Sequence, residues 1–167
     1  MGKKAAVYGV LLSLALLVSF VETMIPLPIA IPGVKLGLSN IVILFVLYNM
    51  GIRDAVIVSV MRIVIAGFLF GNMAGILYSI GGAALSLFVM YLFRKSNWFS
   101  VAGISVCGGV AHNIGQSVIA AWVTSFKTIM FYVPFLLISG VVTGFIIGIV
   151  GKEMITRVPS KIYKTVR

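Results

Sequence analysis

The run Ile129–Val150, IMFYVPFLLISGVVTGFIIGIV, contains no charged residue, and it is long enough to cross a bilayer, which takes about 20 apolar residues in a helix. The whole 167-residue chain is 61% hydrophobic and only 10% charged, whereas a soluble domain normally has about 25% charged residues. Lipid must therefore be its solvent, and in lipid only helix bundles and closed barrels satisfy every backbone polar group. Barrel strands alternate apolar and polar residues, while the runs here are continuous. The sequence therefore predicts an all-α, polytopic membrane protein.

Six apolar runs are separated by short turns, so we expect a six-transmembrane-helix bundle in a single domain that covers residues 1–167. The predicted helices are Ala5–Met24, Leu36–Met50, Ala55–Phe70, Met73–Phe93, Ser100–Thr124 and Ile129–Val150. Between the first two helices, the prolines and the glycine of Ile25–Lys35 forbid regular helix and predict an apolar loop. A basic tail, Lys152–Arg167, follows the last helix.

The basic residues are distributed unevenly between the two ends of the predicted bundle. The outer end has only Lys35 and Lys127, and Arg62 lies within the third helix. If the N-terminus is cytoplasmic, the inner side holds the other ten: Lys3, Lys4, Arg53, Arg94, Lys95, Lys152, Arg157, Lys161, Lys164 and Arg167. This excess predicts a multi-pass protein of the cell membrane with both termini in the cytoplasm. It also accounts for the net charge of +10 without a nucleic-acid partner.

The sequence has few residues that could catalyse a reaction. Its only carboxylates are Glu22, Asp54 and Glu153, and no two of them have the spacing that would hold Mg²⁺ or act as acid and base. One histidine and one cysteine, Cys107, do not make a metal site, and there is no phosphate-binding P-loop. We therefore predict a binding or transport protein rather than an enzyme, with no metal and no cofactor.

Polar residues within membrane spans are costly and therefore mark functional sites by default. At about 1.5 Å rise per residue, nearly all of those in this chain fall in the outer half of the bundle. We predict that they form a substrate pocket that opens outward beneath Ile25–Lys35. The candidate substrate-binding residues are Glu22, Lys35, Asn40, Arg62, Asn72, His112, Asn113, Gln116 and Tyr132.

Several of these residues have more than one interpretation. Asn113 and Gln116 either bind substrate or form hydrogen bonds between helices. His112 is a ligand-binding residue, a histidine packed in the core, or an axial ligand of haem. Arg62 needs an acceptor, which is either a carboxylate or phosphate of a ligand or, after snorkelling, a backbone carbonyl. Glu22 is a further candidate partner, but it differs from Arg62 in depth by roughly 10 Å.

Small residues repeat at four-residue spacing along two of the predicted helices. Gly140, Gly144 and Gly148 form one stripe on the last helix, and Gly9 and Ser13 form another on the first. Such stripes permit close approach between membrane helices. We expect the first stripe to pack inside the bundle, and the second either to do the same or to dock another membrane subunit.

The chain also resembles a known family. The features that carry the likeness are Ile25-Pro26-Leu27-Pro28, the stretch Ile31–Asn40 (IPGVKLGLSN), a short second helix and a Gly-Asn turn. These resemble the heptaprenyl diphosphate synthase component I family, also called the Gx transporter family, and more broadly the substrate-binding S-components of energy-coupling-factor (ECF) transporters. The resemblance covers essentially the whole chain.

The resemblance implies a six-helix bundle whose outward-facing pocket is capped by the loop between the first two helices. It also implies a transmembrane coupling subunit and two cytoplasmic ATPases as partners. The docking face would use small residues of the first helix, either Gly9 with Ser13 or Ala15 with Ser19.

Two functions follow from these features. The first is an S-component-like subunit that binds a small anionic or amphipathic solute for uptake. The alternative is a non-catalytic membrane component associated with polyprenyl diphosphate or quinone synthesis. A catalytic role in chain elongation is excluded, because that chemistry resembles reactions that use Asp-rich motifs to hold Mg²⁺, and Asp54 is the only aspartate.

Overall fold

The computed structural model describes residues 2–25, 34–124 and 126–158. Within these ranges the chain forms helices and no strands, which confirms the all-α prediction. The six helices are α1 (Gly2–Thr23), α2 (Asn40–Asn49), α3 (Ile52–Phe70), α4 (Met73–Ser96), α5 (Val101–Val123) and α6 (Phe126–Arg157).

The start of α2 differs from the predicted bounds by four residues. This helix begins at Asn40, whereas the apolar pattern predicts a start at Leu36. The reason is Gly37, whose φ of 82° lies in the left-handed region that a right-handed helix cannot include. Residues Val34–Ser39 therefore form a non-helical segment, which we name the connector. Most of the predicted loop before it, residues 26–33, lies outside the described residues.

The last helix is longer than the apolar run that predicts it. α6 continues through Lys152 to Arg157, because Lys, Glu and Arg are good helix formers and Glu153 pairs with Arg157 one turn later at 2.7 Å. The first part of the predicted basic tail, Lys152–Arg157, is thus helical, and residues 159–167 lie outside the described part of the chain. α3 likewise begins at Ile52, and so includes Arg53 and Asp54.

The helices pack in a sequence that places α2 at the centre. Consecutive helices from α3 to α6 contact one another, α2 contacts α1, α3 and α6, and α1 lies against α3. From Val42 to Leu47 every side chain of α2 is buried. A helix that is apolar all round has to be enclosed by others, which explains why the short α2 occupies the interior.

The surface is apolar and much of the interior is polar. Large side chains such as Phe68, Trp122 and Phe135 are exposed, while Arg62, His112 and Asn113 are buried. Within residues 2–25, 34–124 and 126–158, three helices are long and apolar enough to cross a membrane, over Lys4–Thr23, Met73–Ser96 and Ile129–Arg157. This distribution is the reverse of that in a soluble protein and suits a lipid solvent.

Glycines allow α4, α5 and α6 to approach backbone to backbone. A Cβ atom added at Gly109 of α5 would lie 2.5 Å from the carbonyl oxygen of Gly140, and one added at Gly148 would lie 2.6 Å from Cα of Ala102. The stripe on α6 therefore packs against α5, inside the bundle, as the sequence predicts.

Candidate functional site

The connector is held by side chains from several helices. α1, α3, α5 and α6 each direct a polar side chain towards it, namely Glu22, Arg62, Gln116 and Thr143. Since residues outside regular structure need other partners for their backbone groups, these side chains replace the hydrogen bonds that a helix would have supplied.

Glu22 fixes the turn of the connector. Its Oε1 atom accepts hydrogen bonds from the backbone N–H groups of Gly37 at 2.5 Å and Leu38 at 3.1 Å. The carboxylate is 4% exposed, and among the described residues its second oxygen, Oε2, has no hydrogen-bond partner. Glu22 thus stabilises the positive-φ turn and retains one acceptor that is free.

Gln116 binds the connector through both ends of its amide. Its Oε1 accepts from the N–H of Lys35 at 3.2 Å, and its Nε2 donates to the carbonyl of Lys35 at 2.7 Å. The same nitrogen donates to Oδ1 of Asn113 at 2.7 Å, and Asn113 in turn donates to the carbonyl of Leu136 on α6. Asn113 therefore makes a hydrogen bond between helices, while Gln116 binds the connector and its neighbour on the same helix.

Arg62 is buried directly beneath the connector, with 2% of its surface exposed. Its Nη1 donates to Oγ of Ser39 at 2.7 Å, while Nε and Nη2 have no hydrogen-bond partner in the part of the chain that the structure describes. Within the described ranges the only ion pair is that of Glu153 and Arg157, so Arg62 and Glu22 do not pair directly. A buried guanidinium with unused donors is costly unless an anion or water completes its shell.

His112 is enclosed by two glycines. A Cβ atom at Gly37 would lie 3.1 Å from its Cδ2, and one at Gly82 would lie 2.8 Å from its Cε1 and Nδ1. The imidazole therefore leaves no room for a porphyrin on these faces, and the geometry does not support the haem interpretation. No group of three His, Cys, Asp or Glu side chains able to hold a metal occurs in the part of the chain that the structure describes.

A cavity of about 260 Å³ adjoins the connector. It brings together the side chains of Glu22, Lys35 and Asn72, and Asn72 also caps α4 by accepting the N–H of Gly75 at 2.7 Å. Burial lowers the pKa of the Lys35 ammonium, and the charge of Glu22 opposes that change. The cavity is lined by Glu22, Thr23, Ile25, Val34, Lys35, Phe70, Gly71 and Asn72.

The nine predicted substrate-binding residues therefore lie close to one segment, but not around one open space. Only Glu22, Lys35 and Asn72 line the cavity, and the other polar side chains lie beneath the connector or within the bundle. Asn40 is the first residue of α2, and a Cβ atom added at Gly37 would lie 3.0 Å from its Nδ2. Tyr132 does not take part in the polar contacts and packs with the apolar cluster that contains Val34.

Sequence reasoning missed several residues of this region. Ser39 accepts the hydrogen bond of Arg62, and Oγ1 of Thr143 lies 3.5 Å from the carbonyl of Leu36. Thr23, Phe70 and Gly71 line the cavity. Serine is typical of the position just before a helix start, and Ser39 precedes Asn40, the first residue of α2. This preference is the only sequence feature that could have pointed to Ser39. The others have no pattern of their own.

The two pairs proposed for docking on α1 differ in exposure. Ala15 and Ser19 are fully buried against the protein's own helices, so docking through this pair stays a prediction that requires α1 to expose its inner face. Gly9 and Ser13 are exposed. The difference arises because α1 packs against α2 and α3 with one face only, and the Ala15–Ser19 stripe lies on that face.

Apolar helices around a polar interior define an all-α integral membrane protein. The model of the family described as heptaprenyl diphosphate synthase component I matches residues 11–154. The chain belongs to this family, as the resemblance predicts. Comparisons with curated proteins and with solved structures returned no match.

Proposed function

We propose that the chain is the substrate-binding membrane subunit of an ECF-type uptake transporter, for a small anionic or amphipathic solute. The observation that carries this proposal is Arg62, a buried guanidinium with two nitrogens that lack partners, beneath a segment that borders a cavity. Such a group has a strong preference for a carboxylate or phosphate.

In this proposal the solute enters through the cavity. Its anionic group first meets Lys35 at the cavity wall and then the free donors of Arg62. Its apolar part contacts the wall formed by Val34 and Phe70. Lys35 belongs to the connector and Arg62 lies beneath it, so entry requires the connector to shift, and the contacts of Glu22 and Gln116 determine how readily it does so.

The proposal includes a single six-span domain with both termini in the cytoplasm. Three helices meet the length and hydropathy of a span, and α3 and α5 have 19 and 23 residues, enough to cross most of a hydrocarbon core of about 30 Å. α2 has only 10 residues, about 15 Å, so in this proposal the connector completes the sixth crossing. The exposed pair Gly9 and Ser13 would dock the coupling subunit, which in turn binds the ATPases.

Gently purified protein tests the proposal by native mass spectrometry. We expect a retained anionic ligand, together with coupling and ATPase subunits. Arg62→Met removes the donors and should weaken ligand binding about ten- to hundredfold, the effect of losing a hydrogen bond to a charged group. Arg62→Lys should be less affected, and Lys152→Met, at an exposed position on α6, should not change binding.

Two results would contradict this function. One is the absence of any coupling or ATPase subunit from the purified complex, together with solute uptake that is unchanged when the gene is deleted. The other is ligand binding that survives Arg62→Met without loss of affinity.

A second candidate is a non-catalytic membrane component associated with polyprenyl diphosphate or quinone synthesis. The family's description supports it, because it refers to one component of a heptaprenyl diphosphate synthase. Asp54, the only aspartate, accepts a hydrogen bond from Tyr8, which leaves no Asp-rich site for Mg²⁺. This candidate predicts an altered chain length or yield of lipoquinones when the gene is deleted, and unchanged lipoquinones would exclude it.

A further inference from the structure

A second cavity lies between α3 and α4, and its lining contains no residue of the connector. It is an apolar groove of about 360 Å³. Its floor includes Ile63 and Ala83, which are buried, and its rims include Val60 and Phe88, which are about half exposed. The residues that line it are Ile52, Val56, Ser59, Val60, Ile63, Ile80, Ala83, Ala84, Leu87, Phe88 and Tyr91.

The groove is about as long as one leaflet of a bilayer is deep. On α3 its lining extends from Ile52 to Ile63, and on α4 from Ile80 to Tyr91. At about 1.5 Å per residue each stretch is roughly 16 Å long, about half of a hydrocarbon core of about 30 Å. Because its rims are exposed, a lipid chain reaches it sideways from the bilayer.

At one end the groove continues into a basic pocket. The two cavities share Ile52 and Tyr91, and the pocket adds Arg94, Lys95 and Asn97, at the end of α4. This end carries positive charge where the phosphate of a lipid would lie if its chain occupied the groove. Basic pockets between membrane helices are typical sites for anionic headgroups.

The two cationic side chains of this pocket differ in how firmly they are held. Arg94 is held in place, because its guanidinium donates to the carbonyl groups of Leu47 and Tyr48 and lies 4.9 Å from the ring centre of Tyr48. Lys95 is exposed. Asp54, the nearest carboxylate in sequence, accepts a hydrogen bond from Tyr8 on α1, and it is not part of the pocket lining.

We propose that the α3–α4 groove and the basic pocket together form a binding site for one anionic phospholipid. One acyl chain lies in the groove, and the phosphate contacts Lys95 and the outer edge of Arg94. The second chain remains in the bilayer. A phospholipid fits better than a polyprenyl phosphate, since the groove ends after one leaflet and a long polyprenyl chain would extend beyond it. This site is separate from the connector and does not depend on the proposed function.

Native mass spectrometry of the protein from nanodiscs of equimolar phosphatidylglycerol and phosphatidylcholine, with identical acyl chains, tests the site. We expect phosphatidylglycerol to be retained about fivefold more than phosphatidylcholine, as one or two basic contacts imply. Lys95→Gln should remove most of that preference. Ala84→Trp, at an exposed position, should fill the groove and lower retention of both lipids about fivefold.

Matched substitutions elsewhere separate this site from the general lipid shell. Lys152→Gln removes an exposed basic residue of α6, and Val118→Trp adds an indole to the lipid-facing side of α5. Both should leave lipid retention unchanged. Equal retention of the two phospholipids would overturn the proposal, as would retention by Ala84→Trp at the level of Val118→Trp. Selective retention of an added polyprenyl monophosphate over phosphatidylglycerol would also overturn it.

Discussion

Replacing Gln116 with leucine tests whether side chains hold the connector in place. The substitution removes the hydrogen bonds of Gln116 to the N–H and the carbonyl of Lys35, and a third to Asn113. Hydrogen bonds between membrane helices contribute about 0.6 kcal/mol on average and up to about 1.7 kcal/mol. We therefore expect a loss of about 2 to 5 kcal/mol in the free energy of unfolding.

The same substitution should open the connector locally. Two of the three lost bonds involve Lys35, so the local opening equilibrium should shift about ten- to hundredfold. Hydrogen–deuterium exchange of the peptide that covers residues 34–39 measures this shift directly, since exchange requires the opened state. Val118→Leu, two residues along α5 and exposed to lipid, is the control. Unchanged protection of residues 34–39 in Gln116→Leu would refute the reasoning.

Two further substitutions test the packing of the bundle. Gly109→Val should destabilise the protein by about 1 to 3 kcal/mol or more, because a Cβ at this position meets the backbone of α6. The control is Gly103→Val on the same helix, where the nearest atom to an added Cβ is 3.6 Å away. It should have a much smaller effect on the thermal unfolding temperature. Tyr8→Phe removes the hydrogen bond to Asp54 and should cost about 1 to 3 kcal/mol, so an unchanged unfolding temperature would contradict that contact's contribution.

The predictions from sequence succeeded where one-dimensional patterns carry the information. The apolar run Ile129–Val150 identifies α6, and the polar turn at Gly71-Asn72 separates α3 from α4 as expected. The start of α2 was predicted too early because hydropathy does not report the backbone angle of Gly37. The end of α6 was also predicted too early, because hydropathy marks only the apolar part of a helix and charged residues can continue the helix beyond the hydrocarbon region.

The partners of the polar residues were not predictable in the same way. Gln116 and Lys35 are 81 residues apart, and each has several chemically suitable partners in the sequence. Depth estimates separated Glu22 and Arg62 by roughly 10 Å, and they did not reveal that both bind the connector, through Leu38 and Ser39. Side-chain periodicity identifies a helix face, but it does not say which backbone carbonyl that face will meet.

Three properties of this protein could be read from its sequence alone: that lipid surrounds it, that it is all-α, and which family it belongs to. These follow from composition, continuous apolar runs and the stretch Ile31–Asn40, all of which are properties of neighbouring residues. Other properties are visible only in the folded structure: α2 is central, Ala15 and Ser19 face inward, and the buried polar groups converge on the connector. The physical reason is that burial and hydrogen bonding depend on distances between helices, and those distances are set only when the glycine-lined faces pack together.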